Sequence, residues 1–286
     1  MLARRVAVRV LVAVTAVVFA ACGGGPGSSG DGPVVLAGRR VVTDARSETL
    51  AAETARMTAT VVVDGTKLLE MEGTGNLRTG AGEFTMRNLL SRVDPQQDDL
   101  EMRVVAIDRT RAFLDFGPIL SLPPGKQWVE MTVGDAAAQQ LTEGADPTSG
   151  LDYLEGVADT VRESGREQIG GVPTTRYDLT VDLNSLVARS SEGIAAIDPL
   201  LAARYRALAA AVDAGSGGGV AWIDDDGRVR RLRYTFEFGG VGSTTTFELS
   251  DFGVPVDVTP PPADEVVPFA DVAGQLTEVL ADLEPS

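Results

Sequence analysis

The stretch 55-ARMTATVVVDGTKLLEMEGTGNL-77 decides the architecture of this chain. Met57, Ala59, Val61 and Val63 alternate with polar or small residues, the two-residue period of a strand with one buried face. Asp64-Gly65 follows, a dipeptide suited to the tight turn of a β-hairpin, and "TKLLEMEGTGNL" then reads as the returning strand. Working outward, "GEFTMRN" (82–88), "DLEMRVVAID" (99–108), "RAFLDFG" (111–117) and "KQWVEMTV" (126–133) continue the pattern. They put Phe84 with Met86, Met102 with Val104, and Leu114 with Phe116 on common faces. Six successive strands make an antiparallel meander.

Beyond it, "DAAAQQLTEGADPTSGLDYLEGV" predicts a helical interlude in which Asp146-Pro147 opens a helix carrying Leu151 and Leu154. Two strands come next, "VRESGREQIGG" and "VPTTRYDLTVDL", with Tyr177, Leu179, Val181 and Leu183 alternating against polar neighbours. A second helix opens at Asp198-Pro199, presents Leu201, Tyr205, Leu208 and Val212, and stops at Gly215. "GGVAWID", "GRVRRLRYTFEF" and "STTTFELSDF" complete a sheet of about eleven strands. The expectation is one α+β domain over 34–262. A separate amphipathic helix is expected over 263–286, where Phe269, Val272, Leu276, Val279 and Leu283 recur at helical steps.

The N-terminus reads differently. Arg4, Arg5 and Arg9 precede an apolar run from Val10 to Ala21 that is too short for a membrane span and fits the core of a signal peptide. Phe19-Ala20-Ala21-Cys22 resembles a bacterial lipobox, so residues 1–21 are expected to be removed and Cys22, the only cysteine, to carry a diacylglyceryl anchor. Residues 22–33 are Gly/Ser-rich and predict a flexible tether of roughly 20 Å.

Composition removes whole classes of function. The formal net charge is −16, falling to −19 once the three arginines ahead of Cys22 are gone, which argues against nucleic acid as a partner. Histidine is absent and no second cysteine exists, so a Ser-His-Asp or Cys-His nucleophile, a histidine-bearing zinc site and a disulfide within the chain are all impossible. No nucleotide-binding glycine motif stands between a strand and a helix. "DDDGRVR" (224–230) has the opening of a calcium loop, but Leu232 and Arg233 stand where its closing carboxylate would be, and flanking strands favour a hairpin turn. Trp128 and Trp222 sit singly in strands, where core packing accounts for them. We therefore expect no catalytic residue, metal or cofactor.

The lipobox, "DPTSGLDYLEGV" (146–157), "IGGVPTTRYDLTVDL" (169–183), "DPLLAARYRALAAAV" (198–212) and "AWIDDDGRVRRLRYTFEF" (221–238) together resemble the LppX/LprG family of actinobacterial lipoproteins, whose fold is similar to the LolA and LolB lipoprotein carriers. The resemblance covers about residues 40–262. It implies a strongly curved antiparallel sheet, a half-barrel with helices covering the concave face, and acyl chains held between the two. It also implies a lipid or lipidated glycan as ligand, carriage or presentation of it at the extracytoplasmic face of the cell membrane, and a possible membrane transporter as partner. Acyl chains offer no hydrogen bonds, so the cavity lining should be apolar and conformationally soft. The candidates are Met57, Val61, Leu69, Met71, Phe84, Met86, Met102, Leu114, Phe116, Tyr177, Leu179, Tyr234 and Phe236. The alternative is an envelope sensor or chaperone that uses the same fold, its acidic surface and its C-terminal helix to bind another protein.

Overall fold

A computed structural model describes residues 33–92, 98–132, 158–182, 216–238 and 241–275. These form a long α-helix, α1 (Pro33–Ala51), short 3-10 turns, and a single sheet of strands β1 (Thr54–Val63), β2 (Thr66–Asn76), β3 (Gly82–Asn88), β4 (Leu100–Asp108), β5 (Arg111–Asp115), β6 (Trp128–Thr132), β7 (Ala158–Ile169), β8 (Val172–Asp182), β9 (Ser216–Asp224), β10 (Val229–Phe238), β11 (Val241–Ser250) and β12 (Val266–Pro268). The spatial order is β12-β6-β5-β4-β3-β2-β1-β11-β10-β9-β8-β7. The predicted six-strand meander is present, the later strands β7–β11 pair in sequence order as well, and the two sets are joined where β1 pairs with β11. Every pairing is antiparallel except β12 with β6. The ladder is open, with β12 and β7 at its edges.

The opening hairpin forms as its sequence dictates. Asp64 and Gly65 both take positive φ, 46° and 78°, the geometry of a type I′ turn. The Asp64 carboxylate accepts the Gly242 N–H at 2.9 Å, tying this turn to the start of β11. The consecutive Leu68 and Leu69 break the alternation, and a bulge in the β1–β2 register after Val61 absorbs the extra residue, so both leucines are buried.

Alternation gives the sheet two unlike faces. One collects the aliphatic and aromatic side chains into a continuous core. The other carries cross-strand ion pairs, Arg87–Glu101 at 2.9 Å, Arg103–Asp115 at 2.7 Å, Arg111–Glu130 at 2.7 Å and Arg231–Glu248 at 2.7 Å among them. Exposed pairs of this kind each contribute only about 0–1 kcal/mol, but like charges placed opposite would oppose the register. Asp115 is the best held. Its carboxylate accepts from Arg103, from the Gly117 N–H at 2.9 Å and from Gln127 at 3.0 Å. Burial pushes this carboxyl upward, yet those hydrogen bonds outweigh burial and hold it below the ordinary value. The ionised form therefore stabilises the fold fully above the unfolded chain's carboxylate range, about pH 4, and that contribution disappears as pH falls through the lowered folded value. Asp115→Asn is expected to flatten the acid limb of the Tm-versus-pH curve, read by thermal melts from pH 7 down to pH 3.

Three features depart from the sequence reading. Helix α1 was not expected: it begins at Pro33, assigned to the tether, and over residues 40–51 it buries Val42, Ala45 and Thr49. It packs against β7 and β10. The buried Thr49 hydroxyl donates to the Ala45 carbonyl at 2.6 Å and accepts the Val229 N–H at 2.9 Å, which lets a polar residue serve in a helix–sheet contact. Second, the segment after residue 262 opens with a single 3-10 turn, Ala263–Glu265, and then a strand, rather than with a continuous amphipathic helix. Val266–Pro268 lies parallel to β6, while Phe269 and Val272 enter the core. Gln275 ties it down further, accepting the Ser121 N–H at 3.1 Å and donating to the Ser121 carbonyl at 3.2 Å. Third, the tryptophans lie on the polar face. The helices expected at 146–157 and 198–215, and residues 276–286 of the C-terminal helix, lie outside the described residues. Among the described residues no helix is long and apolar enough to cross a membrane.

Candidate functional site

Strand registers show where the candidate residues go. One row runs Met102–Met86–Met71–Ala59–Phe247–Leu232–Ala221–Tyr177, each residue opposite the next on the neighbouring strand from β4 to β8. Beside it runs Val129–Leu114–Val104–Phe84–Gly73–Met57–Leu249. On its other side lies Leu69–Val61–Thr245–Tyr234–Gly219–Leu179–Val161. Phe236 stands opposite Ser243, and Phe116 follows Leu114 by two residues, just past the end of β5.

Met57, Val61, Leu69, Met71, Phe84, Leu114, Phe116, Leu179, Tyr234 and Phe236 are buried in this layer, and Met86, Met102 and Tyr177 pack against it partly exposed. Tyr234 and Phe236 hold their rings stacked, 6.2 Å between centroids. At the β8 end of the long row Tyr177 faces Glu163 on β7; burial first, and then the Glu163 charge, raise its phenol above the ordinary value. The candidates therefore occupy one face of one sheet. Helix α1, which contributes Val42 and Ala45 to the same core, covers that face over β7 and β10.

The sequence reading missed the glycines of this face. Gly73, Gly75 and Gly82 lie beneath the Phe84 ring so closely that a methyl group at any of them would come within 2.8 Å of a ring atom. The signal was present, since glycines two residues apart in a strand clear one face of side chains for a neighbouring aromatic. It also missed Ser243 and Thr245, which point into this face beside Val63 and Val61. "STTTFELS" carries hydroxyls on both faces, and only pairing with β1 distinguishes them.

On the opposite face Trp222 sits among the guanidinium groups of Arg233, Arg231 and Arg176, at 5.3, 5.5 and 5.8 Å from its ring centre. Its indole N–H donates to Glu167. Arg103 lies 4.9 Å over Trp128. These rings are buried by arginine stems and cation–π contact, not by the apolar core assigned to them from sequence. Asp224, a residue of the considered calcium loop, shapes the β9–β10 turn instead: one carboxylate oxygen accepts the Asp226 and Arg228 N–H groups at 3.1 and 2.8 Å, and the other accepts from Arg230 at 2.6 Å.

No protein-family profile matches the chain. A curated relative, an uncharacterized 31.2 kDa protein of Streptomyces griseus from the rplA–rplJ intergenic region, is 25% identical over 161 residues, covering 53% of this chain and 51% of its own length. The match thus spans about half of each protein. Among solved structures the chain is similar to LprF from Mycobacterium bovis, 16% identical, with 81% of this chain and 100% of that one covered at a TM-score of 0.47. It is similar to the lipoprotein LppX of Mycobacterium tuberculosis at 14% identity, with 80% and 100% covered and a TM-score of 0.43. The MucA/MucB complex of Pseudomonas aeruginosa follows at 13% identity, 78% and 58% covered, and a TM-score of 0.32. LprF and LppX are lipoproteins of the family that the sequence resembles.

Proposed function

We propose that this chain is a lipoprotein, anchored through an acylated Cys22 on the extracytoplasmic face of the cell membrane, whose sheet binds the acyl chains of a lipid or lipidated glycan and carries or presents it without covalent chemistry. The observation that carries the reading is the register: every strand-borne residue chosen from sequence as a cavity lining falls into cross-strand rows on a single apolar face. That face is suited to hydrocarbon. Its three-methionine row, Met102–Met86–Met71, can adjust to chains of different shape, and its length across the strands exceeds what α1 covers. On the other face the carboxylates of the strands are matched by arginines.

Native mass spectrometry of the full chain purified from an actinobacterial host tests this. We expect a non-covalent diacyl or triacyl species at near-stoichiometric amount, released by organic solvent while the anchor stays on the protein. Protein that carries none, and takes up none when lipid is added, would overturn the carrier reading in favour of a protein-binding role.

A further inference from the structure

Most buried polar groups of this fold are satisfied. Thr49 bonds to Ala45 and Val229, and the Thr174 hydroxyl donates to the Glu167 carbonyl at 2.7 Å. Ser243 and Thr245 are different. Each is only 6% exposed, and neither hydroxyl has a hydrogen-bond partner among the described residues. They stand on the apolar face of β11, Thr245 between Val61 and Tyr234, Ser243 between Val63 and Phe236, with the stacked Tyr234–Phe236 rings along one side. A buried hydroxyl without a partner is destabilising, and a methyl group would fit these strand positions at no such cost. Two of them lie on one face of β11, toward the end of the apolar rows nearest the Asp64-Gly65 turn, and such a pair is what a binding site for oxygen atoms would need.

We infer that Ser243 and Thr245 are a hydrogen-bonding handle for the ester carbonyls of an acylated ligand, an inference that rests on the lipid-binding reading above. Residues two apart on one strand lie roughly 7 Å from each other, so the pair suits two acceptors joined through a short polyol backbone. The surrounding valines and rings disfavour an ionised headgroup, which would lose its hydration there, whereas an uncharged carbonyl needs one donor and loses little. The handle places the ester linkages over β11 and lets the chains run along the apolar rows on either side. It makes the site selective for esters over hydrocarbon of equal length.

The test uses the full chain and two defined probes, dioleoylglycerol and the matched dioleyl glycerol diether, which has the same chains and no carbonyls. Occupancy at matched concentrations is read by native mass spectrometry. The wild-type protein is expected to prefer the ester by about tenfold or more, from two hydrogen bonds. Ser243→Ala/Thr245→Val should lose the preference and bind both lipids equally, and should melt about 2–4 °C higher because the unpaired hydroxyls are gone. Thr245→Ser with Ser243 intact should retain the preference. Equal binding of ester and ether by the wild type, or an undiminished preference in the double variant, would overturn the handle while leaving lipid binding in place. A lower Tm in the double variant would mean that the hydroxyls serve the fold, and would overturn it too. Binding of neither lipid would sink the carrier reading and the handle with it.

Discussion

Gly73→Ala is expected to cost the fold at least about 3 kcal/mol, the upper end of ordinary overpacking, because the added methyl has nowhere to go. Its carbon would sit 2.1 Å from the Glu83 carbonyl oxygen and 2.8 Å from the Phe84 Cα, both backbone atoms of the paired strand β3, and 2.5 Å from the Phe84 ring. A flexible side chain could swing aside; a strand held in its ladder on both edges cannot. Since whole domains are stable by only about 5–15 kcal/mol, one methyl group removes a large share of that margin. Gly218→Ala is the control, because nothing lies within 4 Å of the corresponding carbon. Urea unfolding of both variants decides the matter. A Gly73→Ala midpoint equal to that of Gly218→Ala would mean that β3 moves freely, and that the glycines are not what seats the Phe84 ring.

The second large effect is on location. Replacing Cys22 with alanine removes the only sulfur available for acylation. Each buried methylene contributes about 0.8 kcal/mol to membrane binding, so two or more acyl chains hold a protein stably where none would. The variant is expected to pass almost entirely from the membrane fraction to the soluble extracytoplasmic or culture fraction, or to persist as an uncleaved precursor. Incorporation of labelled palmitate should fall to background. Membrane retention of a cleaved, unlabelled Cys22→Ala protein would remove the anchor from the proposal, and would direct attention to the body of the domain as the membrane contact.

The architecture was readable from sequence wherever a local rule sufficed. Asp64-Gly65 announces its turn, and the alternations in β1, β3, β4, β8 and β10 name their buried faces, because a two-residue period is a property of each strand alone. What escaped needed partners far along the chain. β12 has three residues, too few to show a period, and exists because Val266–Pro268 finds an open edge at Trp128–Glu130. Over residues 40–51 helix α1 buries Val42, Ala45 and Thr49, and packing against the sheet, more than helix propensity, is what stabilises such a helix. Trp222 looked like core because its ring is large and apolar, but Ala221 faces inward at that point of β9 and Trp222 must therefore face out, where Arg176, Arg231 and Arg233 enclose it. For the candidate site, face and residue type were legible, whereas the satisfaction of each hydroxyl was not. That depends on registers between β1, β10 and β11 that only the folded sheet sets.

The pairing of β1 with β11 also has a consequence for how the protein is made. β1 is the first strand to emerge and β11 nearly the last, so one flank of β1 waits for most of the polypeptide to follow before it can be covered. Contacts this distant in sequence close slowly. Meanwhile "TARMTATVVV" presents an unpaired, β-prone edge with Arg56 as its only charge, an open template for pairing with another copy. The chain is thus most exposed to aggregation before β11 has paired with β1, and a holding chaperone should matter more for its yield than for its final stability.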